Sequence, residues 1–152
     1  MLHNSKLSVV IGSDHAGYEM KEFVKEYLQK HFIQFVDAGA EKLDPQDGYP
    51  TFAFKVAQEV ASGKFARGIL MCGTGIGASI AANRVKKVRA ALCQTPEMAR
   101  MSRLHNDSNI LVLGGRTTPT QVAAEIMDAW FATEFEGGRH QKRIEELDGQ
   151  LI

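Results

Sequence analysis

The chain has 152 residues, 44% of them apolar and 24% charged, which fits one globular domain with a core of its own and excludes a disordered or fibrous chain. Lys+Arg is 18 and Asp+Glu is 18, so the formal net charge is +0 and no long-range field draws in a polyanion; a general nucleic-acid binder is disfavoured. No apolar run approaches the ~18 residues that span a bilayer, and two cysteines, Cys72 and Cys93, are too few for a disulfide scaffold. Residues 1–6 lack a signal-peptide layout, so the expected compartment is a reducing cytoplasm. With no CxxC, HExxH or Cys/His cluster, no metal site is expected.

Short apolar runs alternate with helical patterns along the chain. The first run, 8–12, ends in Gly12-Ser13-Asp14-His15-Ala16-Gly17. A carboxylate beside an imidazole at such a turn can bind a hydroxyl and move a proton, although Asp14 could equally cap a helix. In 17–31 the residues Met20, Phe23, Val24, Tyr27 and Leu28 keep helical spacing. A second run follows at 33–37, and then a helix over 51–62 with Ala53, Val56, Ala57 and Val60 on one stripe.

The third run, 68–72, closes on Cys72-Gly73-Thr74-Gly75-Ile76-Gly77-Ala78 before the helical 79–83. Three glycines in this turn let the backbone approach a ligand, and amide donors beside the Cys72 thiol favour its thiolate, a usable base; the alternative is a small buried hydrophobe. The segment also fits G-x-G-x-x-A, the dinucleotide fingerprint. That reading is disfavoured, because the turn follows the third strand and Cys93 and Gln94 stand where an acid should be.

The fourth run is 89–93. Thr95-Pro96 and Thr118-Pro119 each predict a threonine cap with proline at the first helical position. Between these helices lie His105-Asn106-Asp107-Ser108, the fifth run at 109–113, and Gly114-Gly115-Arg116. His105 is a proton carrier or a helix cap. The helix after Thr118 turns Val122, Ile126 and Trp130 inward, and a last helix from about 138 presents Ile144, Leu147 and Leu151. Arg139 and Arg143 share one face of that helix, where they could grip a phosphate or pair with Glu134, Glu136, Glu145 or Glu146. The β-α alternation predicts an α/β three-layer αβα sandwich, Rossmann-like, around a five-stranded parallel sheet. Ligands of such sheets bind outside the carboxyl ends of the strands.

Taken together, Ser13-Asp14-His15-Ala16-Gly17, Tyr49-Pro50, Cys72 through Gly77, Arg89-Ala90-Ala91, Ser102-Arg103-Leu104-His105-Asn106-Asp107 and Gly137-Gly138-Arg139-His140 resemble the type B ribose-5-phosphate isomerases and the related galactose-6-phosphate isomerase subunits. The resemblance spans nearly the whole chain. It implies an aldose–ketose isomerase acting on a small sugar phosphate without metal, nucleotide or other cofactor, and a homodimer, or a dimer of such dimers, with sites at the subunit interface. Cys72 would be the base at C2, and Thr74 with the Gly73, Gly75, Ile76 and Gly77 turn would hold the enediolate. His105, helped by Asp14, would open the sugar ring. His15, Tyr49 and Asn106 would contact the sugar, and Arg116, Arg139 and Arg143 the phosphate. No acid stands at Ala78-Ser79-Ile80, where some members carry a glutamate base. In Asp47-Gly48-Tyr49-Pro50, glycine stands where members often place aspartate directly before Tyr-Pro, with the acid one residue earlier.

Two other readings share these residues. One is a hexose-6-phosphate isomerase acting on allose or galactose 6-phosphate. The other is a non-catalytic sugar-phosphate binding module, which would have no need for Cys72, His105 and Asp14 together.

Overall fold

The computed structural model describes residues 8–150, and the elements follow the expected alternation. They are β1 (Ser8–Ser13), a 3-10 turn (His15–Gly17), α1 (Tyr18–Lys30), β2 (Gln34–Asp37), α2 (Tyr49–Ala61) and β3 (Arg67–Cys72), then α3 (Ile76–Ala82), β4 (Ala90–Leu92), α4 (Pro96–Asn106), β5 (Ile110–Gly114), α5 (Thr120–Ala132) and α6 (Arg139–Gly149). All four strand pairings are parallel, in the order β2-β1-β3-β5-β4. The chain leaves β1 toward one edge and β3 toward the other. The crevice between their carboxyl ends is therefore the place where this class of sheet binds ligands. Among the described residues no helix is long and apolar enough to cross a membrane.

The period of two along each central strand sorts the core into two layers. Val9 and Ile11, Ile69 and Met71, Leu111 and Leu113 face α1, α4 and α5, where Met20, Val24, Leu28, Ile126 and Trp130 cover them. Val10, Leu70, Cys72, Ile110 and Val112 face α2 and α3 and pack on Ala53, Val56, Ala57, Ala81 and Ala82. That alternation carries Cys72 toward α2 and α3.

Several local expectations need correction. The second and fourth runs read as fully buried strands, yet β2 is alternately exposed and half-buried and β4 is half-buried, because each forms an edge of the sheet. Helix α3 starts at Ile76, three residues before the expected 79, because Gly75 at φ 82 turns the chain into it at once. Thr95 does cap α4, accepting from the Met98 N–H at 3.1 Å. Thr118 does not cap α5: it is buried, its N–H donates to the Gly114 carbonyl in a tight turn, and Pro119 becomes the cap residue. In α6, Ile144 is buried as expected but Leu147 is 58% exposed, and Leu151 lies outside the described residues.

An ion pair unnoticed in the sequence holds the loop after β2. Lys21 is fully buried on α1, and its ammonium donates to both Asp37 oxygens at 2.8 Å and to the Ala40 carbonyl. Burial pushes the Asp37 carboxyl up, but the Lys21 ammonium and the Gly39 N–H outweigh it and hold the group below its ordinary range. Lys21→Met is expected to destabilise the fold by about 3 kcal/mol, the low end for a broken buried pair, since Lys25 also stands 3.4 Å from Asp37. A carboxyl lowered in the folded state stabilises above its unfolded pKa, and that stability is lost as pH falls through the folded value. The gap between wild type and Lys21→Met in urea melts should therefore be full at neutral pH and shrink in acid.

Candidate active site

The turns after β1, β3 and β5 meet at the carboxyl end of the sheet. Asp14 is buried, and its Oδ1 accepts from the Gly17 N–H at 3.0 Å, so the capping reading of this residue holds. His15 beside it is partly exposed. Its backbone N–H donates to Asp47 Oδ1 at 2.8 Å, and its Nδ1 lies 2.9 Å from the same oxygen. That bond raises the His15 imidazole above its ordinary value; partial burial opposes the rise, while the charges of Asp14 and Asp47 add to it.

Cys72 ends β3, and its residue is 4% exposed, packed at the α2–α3 face. Behind it the glycine turn is pressed from three sides. A methyl group at Gly77 would sit 2.6 Å from the Tyr49 ring, which begins α2. A methyl at Gly73 would lie 3.5 Å from Ala16 Cβ and 3.7 Å from the Arg116 guanidinium. At Gly115 it would meet the Ala16 carbonyl at 2.7 Å. The Gly115 N–H donates to the Cys72 carbonyl at 2.7 Å, and the Arg116 N–H to the Gly73 carbonyl at 2.9 Å. Thr74 is exposed, and its Oγ1 accepts from the Ile76 N–H at 3.2 Å. Asp14, His15, Tyr49, Cys72, the 73–77 turn and Arg116 therefore form one neighbourhood.

The other expected site residues are elsewhere. Helix α4 leaves the carboxyl end of β4 and runs back, so that His105 and Asn106 precede β5 at the amino end of the sheet. There the Asn109 carbonyl accepts from the Gly68 N–H at 2.9 Å. Gly68 and Cys72 are four residues apart along β3, a rise of about 13 Å. Helix α6 is strapped to this same end. The Glu136 N–H donates to the Leu104 carbonyl, and Arg89 holds Asp148 through two bonds at 2.9 and 2.8 Å. Arg103 pins the α4 terminus through Asp107, the Ser108 carbonyl and the Thr133 carbonyl. Two residues of the quoted motifs, Arg89 and Arg103, are thus scaffold. Asp14 does not reach His105 within one chain.

At the amino end the His105 and His140 rings stack, with centroids 4.3 Å apart and planes 18° apart, and both Nε2 atoms lie 3.8 Å from Glu136 Oε2. Burial lowers the His140 imidazole, helped by the positive charges of His105, Arg139 and Arg143. The composition is that of a metal centre. Nearly parallel rings, however, do not converge their in-plane lone pairs, and two flanking guanidiniums repel a cation. Arg139 and Arg143 are exposed, and among the described residues neither is ion-paired; the glutamate partners considered for them are not used. A groove of about 410 Å³ opens beside this cluster, lined by Asn106, Arg84, Arg89, Leu147 and Asp148, and it does not include Cys72.

Three residues found here, Asp47, His140 and Glu136, carried only a weak signal along the chain. Asp47 showed only as an acid displaced by one residue, and His140 and Glu136 only as neighbours of Arg139.

The family model described as "Ribose/Galactose Isomerase" matches residues 9–147. Ribose-5-phosphate isomerase B of Escherichia coli is 41% identical, the match covering 91% of this chain and 93% of that one. The solved structure of Clostridium thermocellum ribose-5-phosphate isomerase B superposes with TM-score 0.91 at 46% identity, covering 93% of this chain and 95% of that one. That of Mycoplasma genitalium ribose-5-phosphate isomerase B with bound ribulose-5-phosphate gives TM-score 0.89 at 39% identity, covering 93% and 94%.

Proposed function

Since the chain belongs to the ribose/galactose isomerase family, we propose that it interconverts ribose 5-phosphate and ribulose 5-phosphate at sites assembled from two copies of itself. The observation that carries this reading is the split site. Cys72, Asp14, His15, Tyr49 and Arg116 gather at the carboxyl end of the sheet, while His105, Asn106, Arg139 and Arg143 stand at the amino end, both guanidiniums without an ion-pair partner among the described residues. Facing the carboxyl end of one chain with the amino end of a second gives two equal sites in a symmetric dimer.

In each site Arg116 of one chain, with Arg139 and Arg143 of the other, grips the phosphate and orients the reacting carbons. His105 from the second chain and Asp14 open the furanose: the C1 hydroxyl loses its proton and the ring oxygen gains one. The Cys72 thiolate removes the proton from C2 of the open aldose, and the electron pair forms the C1–C2 double bond as the carbonyl oxygen gains charge. Thr74 and the amides of the 73–77 turn meet that charge. The enediolate proton passes from the C2 oxygen to the C1 oxygen, and the thiol returns a proton to C1. This balance is redox-neutral and needs no cofactor. Two buried free thiols, Cys72 and Cys93, suit a reducing compartment such as the cytoplasm.

The test is isomerisation in D2O. Deuterium at C1 of the ribulose 5-phosphate formed, and at C2 of recovered ribose 5-phosphate, is the expected result. Binding of ribose 5-phosphate without exchange or turnover overturns the reading, and faster turnover of a six-carbon 6-phosphate run in parallel reassigns the substrate.

A further inference from the structure

The segment between β2 and α2 reaches back 32 residues onto the turn after β1 through a single acid. Oδ1 of Asp47 takes both the backbone N–H and the ring Nδ1 of His15, and its other oxygen, Oδ2, is buried with no partner among the described residues. The Asp47 side chain is 12% exposed and that of His15 is 29% exposed. Asp47 is itself fixed, its N–H donating to the Asp44 carbonyl at 3.1 Å. Beyond it Gly48, at φ −128 and ψ 143, leads straight into Tyr49, whose ring lies on Gly77. One short chain of contacts therefore ties the turn after β1 to the glycine turn after β3.

We propose that Asp47 is a positioning residue for the isomerisation, clamping His15 by backbone and ring at once so that Nε2 is the ring atom left to the bound sugar phosphate. A carboxylate only accepts hydrogen bonds, so the hydrogen of the pair sits on Nδ1. Neutral His15 then offers an Nε2 lone pair, and protonated His15 offers an Nε2–H to an oxygen of the substrate. The charged groups acting on this ring are Asp47 and Asp14, both of which favour its protonated form. Register decides the clamp. Gly48 is extended, and successive side chains of extended backbone point to opposite sides. An acid at position 48 would point away from His15, so its place at 47, two residues before Tyr49, is what allows the clamp in this backbone.

This inference rests on the carboxyl-end crevice being the substrate site, and its test separates the two. Asp47→Asn, and the exchange D47G/G48D, which moves the acid by one residue, are compared with wild type in two measurements. The first is the NMR titration of His15, which needs no activity. The second is ribose 5-phosphate turnover across pH. The expected result is a His15 midpoint moved to lower pH in both variants, with KM raised about ten-fold, kcat changed far less, and the pH dependence of kcat/KM displaced in the same direction. Asp47→Glu is expected to restore part of the KM. A His15 midpoint and KM unchanged in both variants overturns the proposal. A lowered Tm with an unmoved pH profile also overturns it, since that is a purely structural role. Failure of the wild-type protein to turn over ribose 5-phosphate overturns the functional reading and leaves the His15 titration to decide the clamp.

Discussion

Replacing Cys72 by alanine is expected to lower kcat for ribose 5-phosphate about 10³-fold, within the range that a positioned acid–base group supplies. The substitution removes one sulfur from the packed layer between β3, α2 and α3, and leaves the backbone bond from Gly115 in place. The cavity created is small, so the melting temperature should fall by a few degrees at most. The arginines proposed to hold the phosphate are untouched, and sugar-phosphate affinity should hold within a few-fold. Cys72→Ser should do no better, because a serine hydroxyl is a far weaker acid than a thiol and offers no anion near neutral pH. Steady-state kinetics with a binding titration on the same preparations distinguishes these effects. An alanine variant within a few-fold of wild type moves the base to another residue.

Mixing two inactive variants is expected to restore activity. In the proposed dimer, a mixed pair of Cys72→Ala with His105→Ala has one site with both lesions, while the other joins an intact Cys72 to an intact His105. Random reassortment makes half of the dimers mixed, each with one intact site of two. The mixture should reach about a quarter of wild-type activity. Arg139→Ala in place of His105→Ala should complement Cys72→Ala in the same way, because Arg139 belongs to the same amino-end group. Cys72→Ala mixed with Asp14→Ala should restore nothing, because those residues share one end of one chain. The experiment unfolds, mixes and refolds the purified variants, then assays at a fixed total concentration. Equal failure of all three mixtures would show that Cys72 shares no site with His105 or Arg139.

Much of this was legible in the sequence, for identifiable reasons. The strand at 68–72 is apolar on both faces because it lies in the middle of the sheet, and such runs announce themselves. Thr95 followed by proline marked a helix start because the hydroxyl satisfies a free N–H that any helix leaves. Thr118 gave the same signal and misled, since the tight turn from Gly114 had already claimed its backbone. The buried charge of Lys21 gave no signal at all. Its partners, Asp37 and Ala40, are 16 and 19 residues away and meet it only because β2 lies beside β1.

The alternation of strands and helices, the parallel sheet, and the set of residue types that chemistry at a sugar phosphate requires are all written along the chain. These are local or periodic properties, written within a turn or two of chain. Which of those residues share a place is settled only when the chain packs. Helix direction puts His105 and Arg139 at one end of the sheet and Cys72 at the other, and a contact across 32 residues makes Asp47 the partner of His15. Distances of that kind follow from strand order and packing, which no spacing along the chain records.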